Sequence, residues 1–109
     1  MQYLSTRDKN LRLSAAQAIK MGLSRDGGLF TPVTFPTMGP LDLETLCQMS
    51  YQRRAAYIMG KYLEEFRPED LARFAENAYG PEKFDHPEVA PLRKVNDRTW
   101  CLELWHGPT

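Results

Sequence analysis

Thr99-Trp100-Cys101-Leu102-Glu103-Leu104-Trp105-His106-Gly107-Pro108-Thr109 is the stretch that decides the fold class. As far as Trp105 its side chains alternate with a period of two, the pattern of a β-strand. Trp100, Leu102 and Leu104 share one face, and Cys101, Glu103 and Trp105 share the other. Leu92-Arg93-Lys94-Val95 precedes it, and Asn96-Asp97-Arg98 between the two runs suits a tight turn, so the segment spells a hairpin. Large apolar groups on both faces call for cover on both sides. Helices upstream can cover one side; the other calls for a partner outside this chain. His106-Gly107-Pro108-Thr109 then forms a bent polar loop, with Gly107 and Pro108 fixing the bend and Thr109 supplying a hydroxyl at its far side.

Upstream of the hairpin the apolar pattern is helical. Ser14 and Gln17 have the spacing of a capping box, and Ala15, Ala18, Ile19, Gly22 and Leu23 fall on one face of the helix they open, with Gly22 its stop. Asp42 is expected to cap a second helix, with Leu41 and Leu46 at hydrophobic-staple spacing. Ser50 caps a third, whose stripe of Tyr51, Ala55, Ile58, Met59, Tyr62 and Leu63 is the clearest helical pattern in the chain. Pro68 suits a first helical position, with Glu69 and Asp70 beside the positive end of the dipole. Leu71, Phe74, Ala75 and Ala78 make that helix's expected buried face, and Gly80-Pro81 ends it. Tyr3-Leu4-Ser5-Thr6 reads as a short strand. Ser24-Arg25-Asp26-Gly27-Gly28 reads as a turn whose glycines allow positive φ or a close backbone approach. Pro-bearing connectors cover residues 32–40 and 81–91. The fold class is therefore α+β, a small helical domain with short strands and a C-terminal β-hairpin.

The chain has 109 residues, 42% apolar and 26% charged, which suits a globular unit with a modest core. Fourteen basic residues balance fourteen acidic ones, against the basic stripe of a nucleic-acid-binding domain or a polybasic membrane anchor. No apolar run reaches the length of a membrane span, and Met1 to Asp8 lacks a signal-peptide core. The expected location is cytoplasmic, with Cys47 and Cys101 as small buried apolar residues in a reducing compartment.

Candidate chemistry is sparse. His86 and His106 are the only histidines, and neither has a partner at metal-ligand spacing. His86, in Asp85-His86-Pro87, reads as a solvated loop residue. A Cys101–His106 nucleophile–base pair is disfavoured because a cysteine inside a strand is inert. Gly27-Gly28 leads into Leu29-Phe30-Thr31 and Pro32 rather than into a helix, so a turn is favoured over a phosphate cradle. Ser5-Thr6-Arg7 reads as a cap or turn with a surface arginine rather than an anion site. Arg53-Arg54 and Glu64-Glu65 read as a solvated helix face.

Four segments taken together carry a family resemblance. They are Tyr3-Leu4-Ser5-Thr6-Arg7, the helix from Ser14 to Leu23, Asp26-Gly27-Gly28-Leu29-Phe30 with Pro32, and Leu102 to Thr109. In this order and spacing they resemble the N-terminal region of threonine synthases of the bacterial and fungal type, across essentially the whole chain. The family's closing motif is Glu-Leu-Phe-His-Gly-Pro-Thr; Trp105 here stands for the phenylalanine.

The resemblance implies a pyridoxal-phosphate enzyme of fold type II that converts O-phosphohomoserine and water to threonine and phosphate. It implies residues 1–91 as an N-terminal domain and residues 92–109 as the start of the catalytic domain. In the family an Ala-Phe-Lys-Asp motif follows within a few residues, and its lysine holds the cofactor. None of Lys9, Lys20, Lys61, Lys83 and Lys94 sits in a matching context, so the chain alone is expected to bind no cofactor and to be inactive. His106, Gly107, Pro108 and Thr109 are the implied active-site-proximal residues. The implied partners are the rest of the same polypeptide and a small-molecule substrate. An exposed hairpin face would let the piece self-associate. Two alternatives stand beside this: a related phospholyase acting on another phosphorylated substrate, and a freestanding helical interaction module.

Overall fold

The computed structural model describes residues 1–108. The order is β1 (Gln2–Ser5), β2 (Arg12–Ser14), α1 (Ala15–Met21), β3 (Phe30–Pro32), α2 (Pro40–Cys47), α3 (Tyr51–Tyr62), α4 (Pro68–Ala78), β4 (Leu92–Asn96) and β5 (Thr99–Leu102). Helices and small antiparallel sheets together make the expected α+β architecture.

β1 is the centre of a sheet ordered β2-β1-β3, antiparallel on both sides, with Tyr3 opposite Leu13 and Ser5 opposite Phe30. β2 and β3 are too short to show a period in sequence, and the pairing with β1 is what makes them strands. The capping box at Ser14 forms: its hydroxyl accepts the Gln17 N–H at 3.2 Å, and the Gln17 side chain accepts the Ser14 N–H at 2.9 Å. α1 ends at Gly22, whose N–H bonds Ala18 O at 3.0 Å. Ala15 and Ala18 are buried, but Ile19 and Leu23 of the same expected face are exposed. The short helix seats its small residues, and its larger ones overhang.

α2 starts earlier than its sequence suggests. Gly39 is the N-cap and Pro40 the first helical residue, while Asp42 lies one turn in and accepts the Gly39 N–H at 2.8 Å. Proline fits a first helical position because it has no N–H to satisfy, and this draws the start upstream. Leu41 then lies inside the first turn, 78% exposed, and makes no staple. Asp42 instead ties α2 to α3, accepting from the Tyr57 hydroxyl and lying 3.1 Å from Lys61 Nζ. Arg54 Nε adds a bond to Leu46 O at 2.8 Å.

α3 opens on the expected Ser50 cap and α4 on Pro68. α4 packs on α3 through Leu71 and Ala75, which are buried; Phe74 and Ala78, expected beside them, are exposed. Leu71 and Ala75 are the residues that α4 buries, so a stripe drawn from periodicity is wider than the buried face. The Tyr3 hydroxyl donates to Tyr62 O at 2.8 Å, and Glu65 accepts the Ala16 N–H, which fastens the N-terminal sheet and α1 to the end of α3. The core is Ala15, Ala18, Leu71, Ala75 and Val89. The cysteines do not join it: Cys47 is exposed, Cys101 is half-buried, and both are free. Cys47 falls in the last turn of α2, on a helix with no buried residue.

β4 and β5 form the expected hairpin, with Leu92 opposite Leu102 and Lys94 opposite Trp100, and an irregularity between Lys94 and Asn96. The strand stops at Leu102, short of Trp105. β4 begins at Leu92, so pairing ends there, and the Glu103 N–H turns to Pro91 O at 2.9 Å. Trp100, Leu102, Leu104 and Trp105 are each more than half exposed. On one side an open groove lies between Leu102 and Leu104 and the α3 residues Tyr51, Ala55 and Ile58.

Candidate functional site

Two hydrogen-bonded devices, each joining segments 21 positions apart in sequence, organise the polar chemistry of this chain. The first lies on the tail. The turn of Glu103 towards Pro91 buries its side chain, whose two carboxylate oxygens have different partners. Oε1 lies 3.0 Å from His106 Nε2, and Oε2 lies 3.4 Å from Arg93 Nε on β4. Asp85 approaches from the other side, with Oδ1 2.7 Å from His106 Nδ1 and its N–H donating to His106 O at 2.9 Å.

Asp85 is delivered by the segment between α4 and β4. That segment leaves α4 in a turn in which the Lys83 and Phe84 N–H groups share Gly80 O, each at 3.0 Å. It is braced by ring contacts from Tyr51 to Tyr79 at 5.0 Å and from Tyr79 to Phe84 at 5.6 Å. Val89 closes it with φ 63° and is 3% exposed. A β-branched residue at positive φ is strained by about 1–3 kcal/mol, and its burial together with the Val89 N–H bond to His86 O holds it there. His86 is half-buried rather than solvated: its ring lies 4.9 Å from that of His106, and its Nδ1 accepts the Glu88 N–H at 3.1 Å. Gly107 passes so close to Phe84 that a Cβ there would fall 2.2 Å from the ring. Pro108 follows, exposed; Thr109 lies outside the described residues.

Carboxylates face both ring nitrogens of His106 and favour its charged form. The Glu103 bond is the largest cause of a raised pKa and the Asp85 bond adds to it, against some loss of hydration. Both nitrogens are engaged, so the ring is no free general base and no partner for Cys101, which sits in β5 opposite Arg93. Its side chain links the tail to the segment between α4 and β4. Glu103 and Asp85 are the residues that sequence reasoning missed. The first carried a local signal, the i,i+3 spacing to His106; the second carried none.

The second device joins β1 to the turn at residues 24–28. Ser5, fully buried, donates to Asp26 Oδ1 at 2.9 Å, and Asp26 also accepts the Gly28 N–H at 2.8 Å. Arg7 donates to Asp26 O at 3.0 Å, and the Leu29 N–H reaches the Thr6 hydroxyl at 3.0 Å. The glycines divide the two tasks: Gly27 takes φ +79°, and Gly28 gives the close approach, since a Cβ on it would lie 2.3 Å from Ser5 Oγ. The Gly28 N–H, then the Ser5 hydroxyl and Arg7, hold the Asp26 carboxyl below its usual pKa. Ser5-Thr6-Arg7 and Asp26-Gly27-Gly28 are thus the two halves of one latch.

Neither device fits a phosphate-bearing cofactor. The N–H groups of Gly27, Gly28 and Leu29 are all spent on Ser24 O, Asp26 and Thr6, and the tail cluster presents carboxylates. Lys61 and Lys94 are engaged by Asp42 and Asp97. Among the described residues no group of three His, Cys, Asp or Glu is disposed to hold a metal, and no helix is long and apolar enough to cross a membrane.

Titration of these groups sets a stability profile. Asp42 is lowered to about 2, chiefly by the Tyr57 hydroxyl, then by the Gly39 N–H and Lys61, and Asp26 is lowered too. Lowered carboxyl groups stabilise fully above their unfolded values near ~4 and lose that as pH falls through the folded ones; raised His106 stabilises fully below ~6.5 and loses it as pH rises. Urea midpoints are therefore expected to be highest between about pH 4 and 6.5. A midpoint that keeps rising above neutrality in wild type, and equally in His106→Gln, would contradict this.

The fold that carries these two devices recurs in known proteins. The family model described as threonine synthase N terminus matches residues 2–79, and the chain belongs to that family. Its relatives include the threonine synthase of Pseudomonas aeruginosa, 34% identical over all of this chain and 23% of that protein. Among solved structures, the pyridoxal-phosphate-bound threonine synthase of Brucella melitensis superposes with TM-score 0.87 at 33% identity, over 99% of this chain and 23% of that one. Yeast threonine synthase superposes with TM-score 0.84 at 35% identity, over 97% of this chain and 22% of that one. The chain thus spans about a quarter of the length of these relatives.

Proposed function

We propose that this chain acts as the amino-terminal part of a cytoplasmic threonine synthase, which forms threonine and phosphate from O-phosphohomoserine and water with pyridoxal phosphate. Its contribution is positional. Residues 1–91 form a cap, and the segment from residue 92 carries His106, Gly107, Pro108 and Thr109 to the mouth of the active site. The cofactor supplies the electron sink for the chemistry at the substrate carbons; this chain supplies neither its lysine nor its phosphate site. The observation that carries the reading is the hairpin and its continuation: Trp100 and Leu102 on β5 and Leu104 and Trp105 just beyond it stand open, next to a histidine that two carboxylates clamp. Such an apolar band calls for cover, and relatives about four times as long have the chain to provide it.

The test is made in the full-length enzyme. His106→Gln is expected to lower threonine formation by roughly 10²-fold, as a small misplacement near reacting groups can, while Glu44→Gln, on the exposed face of α2, leaves it unchanged. Equal and negligible effects would reduce the tail to scaffolding. The 109-residue chain with added pyridoxal phosphate should form no threonine; turnover by it would overturn the assignment of the cofactor lysine elsewhere. In sedimentation, the chain alone should associate with rising concentration, and Trp100→Ser with Leu104→Ser should suppress this.

A further inference from the structure

The clamp around His106 has a chemical requirement that the family assignment does not state. A neutral imidazole has one N–H and one lone pair. At His106 both ring nitrogens face carboxylate oxygens, Nδ1 at 2.7 Å from Asp85 and Nε2 at 3.0 Å from Glu103. Whichever neutral tautomer formed, one nitrogen would set a lone pair against an anion. Only the imidazolium donates to both.

The surroundings are consistent with that charge. From the segment before β4 come Asp85 and the His86 ring at 4.9 Å; from the strand's continuation come Glu103 and the Trp105 ring at 5.7 Å. Arg93 on β4 takes the second oxygen of Glu103, which leaves one oxygen for the histidine. The His106 side chain is 15% exposed and that of Glu103 7%, so water does not readily replace the Glu103 bond; Asp85 is 78% exposed, so its bond lies open to solvent and is the weaker arm of the clamp.

We infer that Asp85 and Glu103 are positioning residues that hold His106 as an imidazolium, and that this cation is the pivot locking the Gly107–Pro108 backbone onto the Phe84–Asp85 segment. Loss of the proton removes one of the two side-chain bonds and leaves the tail held by the other and by the Asp85 N–H bond to His106 O at 2.9 Å, so the tail loosens at the ring. The clamp lies wholly within this chain; only its consequence for catalysis rests on the proposed function.

Histidine side-chain ¹⁵N spectra of the chain, recorded across a pH series, test it directly. Both His106 nitrogens are expected to be protonated at neutral pH, with a midpoint above that of an ordinary histidine. The Gly107 amide should shift with the same midpoint. Glu103→Gln should lower the midpoint most, Asp85→Asn less, and Arg98→Gln, at the far hairpin turn, not at all. A wild-type His106 that is a neutral single tautomer at pH 7, or a Gly107 amide indifferent to its titration, overturns the inference even if the variants fail to fold. In the full-length enzyme the same variants should move the alkaline limb of the kcat/KM profile towards lower pH in step with the midpoint. An unmoved limb alongside an imidazolium in the spectra would leave the clamp standing and count against the tail's place at the active-site mouth.

Discussion

Leu71→Ala is expected to lower the stability of the chain by about 2–5 kcal/mol, the range for emptying a buried leucine site. Leu71 is 3% exposed and is the largest aliphatic side chain in the core, where α4 meets α3. Its site adjoins an open apolar groove lined by Ala56, Gly60 and Phe66. Water entering from that groove relieves part of the cavity term, which places the effect in the lower half of the range. Phe74→Ala is the informative control. Periodicity ranks Phe74 with Leu71, but it is 45% exposed and should lose much less. Urea unfolding of both variants decides the matter: a Phe74→Ala midpoint as low as that of Leu71→Ala would mean that α4 buries a wider face than its contact with α3.

Gly28→Ala should cost about 1–3 kcal/mol or somewhat more, as steric overpacking of a fixed site does. The added Cβ would lie 2.3 Å from Ser5 Oγ, 2.9 Å from Asp26 Oδ1 and 3.1 Å from the Arg7 backbone nitrogen. The first two atoms are bonded to each other in the latch, and the third belongs to the main chain, so none can retreat without breaking a bond already made. The substitution thus strains the junction of β1 and the turn at once. A double-mutant cycle isolates this cause. Ser5→Ala alone removes the buried hydroxyl that binds Asp26 and should destabilise. Combined with Gly28→Ala it should cost less than the sum, because the nearest clashing atom is gone. Strict additivity would mean that the alanine is harmful for its backbone alone.

The parts of the fold legible in sequence are those whose signal is local. Ser14 with Gln17 and Ser50 with Arg53 satisfy free N–H groups within one helical turn, so the starts of α1 and α3 could be read directly. Asn96 and its neighbours likewise announced the hairpin. Where two local signals competed, as Pro40 did with Asp42 at the start of α2, the better fit of proline to the first helical position won. Face assignments were less secure. Ile19, Phe74 and Ala78 lie on apolar stripes and still face out, since a stripe shows which side can be buried but not how much of it a neighbour reaches. The residues of the tail were found as a motif, while the histidine's two carboxylate partners were not.

The sequence alone determined the helices, the first strand, the hairpin and the family. Each rests on residues within a few positions of one another or on the order of short motifs. Only the tertiary structure decided what the polar residues do. Ser5 and Asp26 are 21 positions apart, as are Asp85 and His106, and nothing local couples them. Folding brings each pair within hydrogen-bond distance and withdraws Ser5, Glu103 and most of His106 from water. That proximity and dehydration turn an ordinary serine into half of a latch and a loop histidine into the link between two carboxylates.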